Sequence, residues 1–557
     1  MARGQQFRSI EKAKVRRSRQ DRSHEKRFSQ DPFWLTPVLF EECIPGETWK
    51  FGNEIVIRCN PLVAPIMHEI NVYVHYYFVP YRILWDKWEE FITGGKNGTF
   101  NEPLPSWKDT PHNINVAGHK VDSLFCYLYG TTAPLANTSI TSSVKKVPNS
   151  FGKRAYNLIW NEYYRDQNLE DEIDLDLVVT NQAILDGEPE FTKTGLRTRA
   201  WEKDYFTSAL PWQQRGIAPA LPIAGSLGID DINSLTDQIT GVRNGVNMLG
   251  LTSQTTDLTQ KLGAGTARTG SVMGVQAISA LDISSDTQAA LRRWLNQIKI
   301  NLGDAITFGV SELRLATQIQ LFLEKMARGG ARYTEYLTAM FGVNAGDDRL
   351  QRPEYIGGSK TPVIISEVLQ TSSSDDISPQ GNMAGHGLSA DRTYINNYFV
   401  REWGCIMGLM SIMPRTMYQQ GLDRKWADDR TRFDYYHPLF ANLSEQAINY
   451  WEIFNYTNAP DGIFGYIPRY DEYRYSRNTV HGLMREDFAH WHMGRIFQTP
   501  PALNPNFIRP NRTEIRALKR VLQTPSEDMF LISFGNRLHV TSPMPWRATP
   551  GRLDHQY

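Results

Sequence analysis

The sequence predicts a protein dominated by β-structure, a single β-sandwich that carries long loops and a few short helices. Short strand-like runs alternate with long proline-rich loops, and no internal repeat is visible. The clearest run, from Ile70 to Val79, alternates with a period of two and consists mainly of β-branched and aromatic residues. Because aromatic side chains occupy both faces of this run, we expect a central strand whose outer side is covered by long loops or by other chains.

The residues that follow this run mark its end. Pro80 lacks a backbone donor and is expected to stop the ladder. Leu84, Trp88 and Phe91 then recur at the spacing of a short helix, which Gly94 ends. We predict that five aromatic side chains of this region and of the next helical segment lie in the core or between subunits: Tyr76, Phe78, Trp85, Trp88 and Trp160.

Composition narrows the class of protein. The 557 residues include 60 basic and 60 acidic side chains, and aromatic residues make up 11%, a content that suits large buried interfaces. The four cysteines form no CxxC pair, which favours reduced, buried thiols. The sequence contains no run of 18 apolar residues, so no membrane span is predicted. The N-terminus is too polar for a secretory signal. We therefore expect a chain made in a cytoplasm-like compartment.

Charge is concentrated at the N-terminus. Residues 1–30 hold ten basic against three acidic side chains, a net charge of +7 that leaves −7 for residues 31–557. The segment has too few large apolar residues to fold alone, and its charge is typical of a phosphate-binding tail. A solvated or targeting tail is the alternative.

Near the N-terminus, the Pro45-Gly46 pair predicts a turn between two strands.

Between Trp212 and Trp294 there are no aromatic residues, although an average stretch of that length would hold about nine. We interpret residues 217–300 as an insertion that does not share the main core.

The rest of the chain mixes helices with strands. The apolar stripe from Ser311 to Met326 predicts a helix, and Tyr333 to Phe341 a second, shorter one. Thr371 to Gly387 is predicted to be a polar loop. The remaining strand-like runs are Tyr398 to Pro414, Gly462 to Tyr475 and Met529 to Thr541.

The usual catalytic and metal-binding patterns are missing. The sequence has no GxxxxGK[ST], HExxH or GxSxG motif. His490 and His492 could place two imidazoles on one strand face, but a metal site needs more ligands than this pair supplies. We predict no catalytic residue, no metal site and no cofactor.

Eight blocks of the sequence, in order along nearly the whole chain, carry a family resemblance. The blocks are DRSHEKRF (Asp21–Phe28), LTPVLFEECIPGETW (Leu35–Trp49), PIMHEINVYVHYYFVPYRILWDKWEEF (Pro65–Phe91), RAYNLIWNEYYRDQNL (Arg154–Leu169), DYFTSALPWQQRG (Asp204–Gly216), ARGGARYTEYLTAMFGV (Ala327–Val343), RLQRPEYIGGS (Arg349–Ser359) and PMPWRATPGRLDHQY (Pro543–Tyr557). These blocks resemble the major capsid proteins of the Microviridae, in particular those of gokushoviruses. Two regions depart from the family pattern: the arm upstream of Asp21 is unusually basic, and the 217–300 insertion matches only in position.

The resemblance implies a single eight-stranded antiparallel jelly roll in a T=1 icosahedral shell around a circular single-stranded DNA genome. Residues 1–30 would be the inner arm, 31–216 and 301–557 the two parts of the jelly roll, and 217–300 a protrusion at the three-fold axes that contributes to host recognition. The arm residues expected to contact DNA are Arg3, Arg8, Lys12, Lys14, Arg16, Arg17 and Arg19.

The same resemblance implies a set of partners and a location. The partners are other copies of the chain, the genome, a small basic DNA-packaging protein, an internal scaffolding protein, a pilot protein and a host surface receptor. The protein would be assembled in the host cytoplasm and reside in the virion. The alternatives are a jelly-roll carbohydrate-binding protein or enzyme, and a soluble DNA-binding protein.

Overall fold

The computed structural model describes residues 16–105, 124–130, 148–175, 196–217, 219, 310–329, 332–343, 346–347, 349–369, 383–455, 457 and 460–547. The chain divides into two compact units, residues 1–215 with 324–557 and residues 216–323. Within the second unit the described residues are mainly those of one helix, and every strand of the described residues belongs to the first unit.

Antiparallel β-structure dominates the first unit, in agreement with the predicted class. The twelve strands of the described residues are β1 (Ser18–Asp21), β2 (His24–Gln30), β3 (Thr36–Cys43), β4 (Thr48–Cys59), β5 (Ile70–Pro80), β6 (Glu354–Pro362), β7 (Ile364–Leu369), β8 (Met383–Phe399), β9 (Gly404–Pro414), β10 (Glu445–Asn449), β11 (Ile463–Pro468) and β12 (Phe530–Ser542).

Two sheets hold ten of these strands. The larger sheet has the order β1-β12-β4-β8-β7, and β2 also pairs with β12. The smaller sheet has the order β3-β9-β5-β6, which makes β5 a central strand, as its sequence predicts. Strands β10 and β11 form a separate two-stranded ribbon.

The two large sheets pack face to face through a shared apolar core. The rings of Phe51 on β4 and Tyr76 on β5 lie 5.5 Å apart, and those of Phe78 on β5 and Tyr398 on β8 lie 5.3 Å apart. The Asn53 side chain on β4 donates a hydrogen bond of 3.2 Å to the Ser359 hydroxyl on β6. These contacts join the inward-facing residues of one sheet to those of the other, as in a β-sandwich.

Short helices occupy the connections between strands. They are α1 (Tyr81–Leu84), α2 (Trp88–Thr93), α3 (Leu124–Tyr129), α4 (Phe151–Ile159), α5 (Val310–Gly329), α6 (Tyr333–Phe341), α7 (Tyr450–Ile453), α8 (Asp471–Arg474), α9 (Pro505–Ile508) and α10 (Arg512–Leu518). A π-helical turn, Trp160–Tyr164, continues α4. Three-residue and four-residue 3₁₀ turns lie at Arg424–Trp426, Pro438–Phe440, Gly482–Arg485, Ala489–Trp491 and Lys519–Val521.

Several local predictions are confirmed. The turn between β3 and β4 falls at Pro45-Gly46, where Gly46 has a φ of +90°. The segment after Pro80 is helical, although as two helices, and α2 ends at Gly94 in the left-handed conformation. The two helices predicted after residue 310 are present as α5 and α6. All four cysteines are free thiols; Cys43, Cys59 and Cys405 are buried as predicted, whereas Cys126 is partly exposed.

Other predictions need correction. The segment predicted as a polar loop to Gly387 is already strand β8 from Met383, and the run from Gly462 to Tyr475 is a strand only to Pro468. Residues 18–30, expected to belong to a tail, pair with β12 as β1 and β2. Pairing by main-chain hydrogen bonds needs few apolar side chains, which explains why a polar segment joins the sheet. The imidazoles of His490 and His492 do not share a strand face, because residues 489–491 form a 3₁₀ turn.

A second, smaller core lies beside the sandwich. It gathers aromatic and aliphatic side chains from residues 205–209, from the β10–β11 ribbon and from α9, including Phe206, Ile448, Phe464 and Phe507. Its rings contact each other edge to face, for example Phe464 and Phe507 at 5.0 Å. This second core supports the loops between β9 and β12.

Candidate functional site

The outward face of the larger sheet carries a group of cations. In β4 the residues alternate: Trp49 and Phe51 are buried in the core, whereas Lys50 and Arg58 point away from it and are exposed. Cross-strand neighbours share a face, so the strand register identifies the remaining outward residues. The outward cations are Arg19, Arg27, Lys50, Arg58, Arg392 and Arg537, and the outward acids are Asp21, Glu25 and Glu54.

Some of these cations are paired and others are not. Arg537 donates to the Glu54 carboxylate, with the Arg537 Nε to Glu54 Oε2 distance at 2.8 Å, and this pair lowers the pKa of Glu54. Within the described ranges no carboxylate lies within ion-pair distance of Lys50 or Arg58. We name this surface, formed by the six cations just listed, the cationic sheet face. Exposed cations without a carboxylate partner, such as Lys50 and Arg58, are available to bind phosphate groups.

The N-terminal segment leads directly onto this face. Arg19 pairs with Thr541 on β12, and Arg27 pairs with Ser533. Arg16, Arg17 and Arg19 are exposed. Of the seven arm residues predicted to contact DNA, these three are therefore placed at the edge of the cationic sheet face. Arg3, Arg8, Lys12 and Lys14 lie outside the described residues.

The sequence reasoning missed the cations that lie within the sheet itself. Lys50 and Arg58 occupy even positions of a strand whose odd positions are apolar except for Asn53, and Arg537 on β12 also points outward. A period-two search for basic residues opposite buried aromatic residues would have found them. They were overlooked because the charge count was made on contiguous segments, in which β4 is unremarkable.

The outward face of the smaller sheet is different, because it forms an aromatic cleft of about 650 Å³. His75 and Tyr77 on β5 point into it, and Tyr163, Tyr164 and Tyr355 close over them. The Tyr77 hydroxyl donates to the Tyr164 hydroxyl at 3.1 Å, and the Tyr164 hydroxyl lies 2.8 Å from His75 Nδ1. The outer side of β5 is thus covered by loops of the same chain, one of the two options that the sequence left open.

Burial dominates the electrostatics of this cleft. Desolvation, with a smaller contribution from the Arg199 charge, lowers the pKa of His75 to about 4. Desolvation also raises the pKa of Tyr77 well above its usual value. The Arg199 guanidinium lies 4.4 Å from the centre of the Tyr73 ring and donates to the Ser411 hydroxyl at 3.0 Å. At neutral pH the imidazole and the phenols are uncharged. The charged side chains that line the cleft are Arg199, Glu202, Lys203, Asp347 and Arg352.

The five predicted core aromatics are all buried in the subunit. Tyr76 and Phe78 face the sandwich interior. Trp85 and Trp88 are 9% and 8% exposed and contact Phe91 at 5.6 and 5.7 Å. The Arg197 and Arg509 guanidinium groups lie 5.1 and 5.0 Å from the centre of the Trp160 ring.

Two searches of the described ranges found no candidate. No group of three His, Cys, Asp or Glu side chains could hold a metal ion there. Among the helices that the structure describes, none is both long and apolar enough to cross a membrane.

Known proteins resemble this chain over most of its length. A family model described as "Capsid protein (F protein)" matches residues 8–552. The chain is 32% identical to capsid protein VP1 of Chlamydia phage 1, over 98% of this chain and 97% of the relative. It is 34% identical to capsid protein VP1 of Bdellovibrio phage phiMH2K, over 87% of this chain and 86% of the relative.

A third relative, capsid protein VP1 of Spiroplasma virus 4, is 30% identical over 93% of this chain and 91% of the relative. Each match covers most of this chain and most of the relative, so the similarity concerns the whole protein rather than one shared domain. The chain belongs to the capsid protein (F protein) family and is a structural, non-enzymatic capsid protein of a phage virion.

Proposed function

We propose that copies of this chain close into a T=1 icosahedral shell around a circular single-stranded DNA genome, with the cationic sheet face turned inward. The observation that carries the proposal is the group of exposed cations on one sheet face, contiguous with the basic N-terminal segment. A shell that confines DNA must offset the repulsion between phosphates, and inward cations do so in every subunit. Arg16, Arg17 and Arg19 would contribute to the same surface, together with Arg3, Arg8, Lys12 and Lys14.

Eight of the twelve strands make up the jelly roll in this proposal. The order β2-β12-β4-β8 in one sheet and β3-β9-β5-β6 in the other supports it, because a jelly roll pairs two four-stranded sheets with long crossings between them. The other four strands lie outside this set. Strand β1 pairs with β12, as β2 does, and β7 pairs with the outer edge of β8. Strands β10 and β11 pair with each other in the long connection between β9 and β12.

The proposed domains divide the chain as follows. Residues 31–216 and 301–557 supply seven of the eight jelly-roll strands and their loops, whereas residues 1–30 supply the eighth strand, β2, and are otherwise the inner arm, whose part from Ser18 is anchored to β12. The 217–300 insertion is proposed to form the protrusion at the three-fold axes and to contact a host surface receptor. Most of it lies outside the described residues, and the lack of aromatic residues before Trp294 supports a solvated, self-contained segment.

Other phage proteins complete the proposed assembly. A small basic DNA-packaging protein would add further cations inside the shell, and an internal scaffolding protein and a pilot protein would assist assembly and genome delivery in the host cytoplasm. The neutral overall charge of the chain is consistent with a need for additional basic protein inside the shell.

The test compares DNA binding by the wild-type chain and by a triple variant, Arg19→Gln, Lys50→Gln and Arg58→Gln. Binding to a single-stranded oligonucleotide is measured by fluorescence anisotropy between about 50 and 200 mM salt. Each lost phosphate contact should flatten the log–log salt slope by about 0.7, or about 2 for the three substitutions.

Arg485→Gln is the matched control, because Arg485 is an exposed arginine on a 3₁₀ turn and belongs to none of the strands that form the cationic sheet face. Its slope should equal that of the wild type. An unchanged slope in the triple variant, or an equal change in the control, would contradict the assignment of this face to the genome.

A further inference from the structure

A loop between β9 and β10 exposes an unusual density of large apolar side chains. Trp426 is 76% exposed and Leu439 is 90% exposed, and the aromatic residues between them are about half exposed. We name this region the aromatic–arginine surface; its apolar members are Trp426, Phe433, Tyr435, Tyr436, Leu439 and Tyr473. Contiguous exposed apolar side chains of this size mark protein interaction surfaces.

Ring contacts and cation–π contacts involve four of these side chains, Phe433, Tyr435, Tyr436 and Tyr473. Phe433 and Phe440 lie 5.9 Å apart, and Tyr436 contacts the buried Tyr470 at 5.2 Å. The Arg430 guanidinium stacks over Tyr435 at 4.1 Å and donates to the Tyr473 hydroxyl at 2.7 Å. The patch is therefore continuous across two segments of the chain.

Internal hydrogen bonds hold the loop in shape. Arg430 donates to the carbonyl oxygens of Lys425 and Asp434 at 2.9 and 3.0 Å. The Asp434 carboxylate accepts from both the backbone amide and the hydroxyl of Thr431, and these bonds lower its pKa. Arg469 donates to the Phe433 carbonyl at 2.9 Å. A surface held by its own bonds loses little conformational entropy on binding.

Charge distinguishes the occupants of this surface. The described segment 421–443 carries four basic and four acidic residues, so it is neutral, unlike a surface for nucleic acid. Tryptophan, tyrosine, phenylalanine and arginine are the residues enriched in protein–protein interfaces and in their energetic hot spots. Because the segment carries both positive and negative side chains, it can face a second copy of the same chain without net charge repulsion.

We propose that the aromatic–arginine surface is a contact between neighbouring copies of this chain in the shell, with Trp426 and Leu439 as its anchors. The inference rests on self-assembly and specifies one of the faces through which it occurs. Closed shells need large interfaces that are buried only on assembly, and the small core of residues 205–209, the β10–β11 ribbon and α9 supports the loop.

The first test compares Leu439→Asp with Leu439→Met. Because Leu439 is almost fully exposed, both unassembled chains should have the circular dichroism spectrum and melting temperature of the wild type. Loss of a hot spot should raise the concentration needed for assembly roughly 30-fold in Leu439→Asp, whereas Leu439→Met should assemble like the wild type. Sedimentation and negative-stain microscopy measure the assembled fraction. Normal assembly of Leu439→Asp would overturn the proposal.

The second test places the photo-crosslinker p-benzoylphenylalanine at position 439 in assembled particles. We expect covalent dimers of the chain, identified by mass spectrometry of the joined peptides. Intact particles without such dimers, or crosslinks only to a different polypeptide, would overturn the proposal while leaving the capsid function intact. Failure of the wild-type chain to form particles would instead contradict the assembly function itself.

Discussion

The two sheets of the sandwich turn very different outward faces away from the same core. On the larger sheet, Lys50 and Arg58 stand exposed without carboxylate partners among the described residues. On the smaller sheet, His75 and Tyr77 are enclosed by Tyr163 and by other side chains of the same chain. One face is completed within the subunit, whereas the other remains free for a molecule outside it.

Desolvation explains why the two faces carry different residues. A charged side chain in the aromatic cleft would lose its hydration without a partner, and accordingly His75 is held neutral there. Lysine and arginine on the open face keep their water, and in the proposed shell they would exchange it for phosphate. The alternation of apolar residues along a strand thus identifies the side that faces the core. The chemical type of the outward residues, charged on β4 and aromatic on β5, indicates whether the outer face is open or covered.

The largest expected effect comes from the shared core. Phe78→Ala should lower the free energy of unfolding by about 3–5 kcal/mol, because the ring is buried and a Cβ at Gly404 would already lie 2.7 Å from it. Tyr394→Ala, on the outward face of β8 and 62% exposed, is the control and should change stability by less than about 0.5 kcal/mol. Chemical denaturation of the unassembled chain measures both. Equal effects would remove the distinction between inward and outward residues.

A smaller effect, dependent on pH, is expected at the covered face. The pKa of His75 is lowered to about 4 in the folded chain from 6.5, so the unfolded chain binds more protons between these values. Its contribution to stability is therefore complete above pH 6.5 and is lost as pH falls towards 4, by at most about 3 kcal/mol.

His75→Gln should reduce the pH dependence of unfolding in that range and leave the profile above pH 6.5 parallel to that of the wild type. Denaturation midpoints measured at intervals from pH 4 to pH 7 test this. A variant whose profile keeps the slope of the wild type would show that the imidazole is not enclosed in the cleft.

The sequence predicted the parts of the fold in which side-chain pattern and backbone requirement coincide. Strand β5 could be recognised from its period, its end from Pro80, and the turn before β4 from Gly46. These signals are local and depend on residues with strong conformational preferences.

The edge strands and the charged face could not be recognised in the same way. Strands β1 and β2 are held by main-chain bonds to β12, more than 500 residues away, and polar side chains give no periodic sign of such pairing. Lys50 and Arg58 are eight residues apart, and the two-fold period that aligns them is evident only once β4 is known to face the core. The aromatic–arginine surface likewise depended on knowing which aromatic residues stay outside the second core.

The most direct test of the account is a cryo-electron microscopy reconstruction of the assembled particle. We predict that Lys50 and Arg58 line the interior of the shell, with density for nucleic acid beside the cationic sheet face. A reconstruction in which that face lies on the outer surface of the shell, or is buried against a neighbouring subunit, would contradict the account.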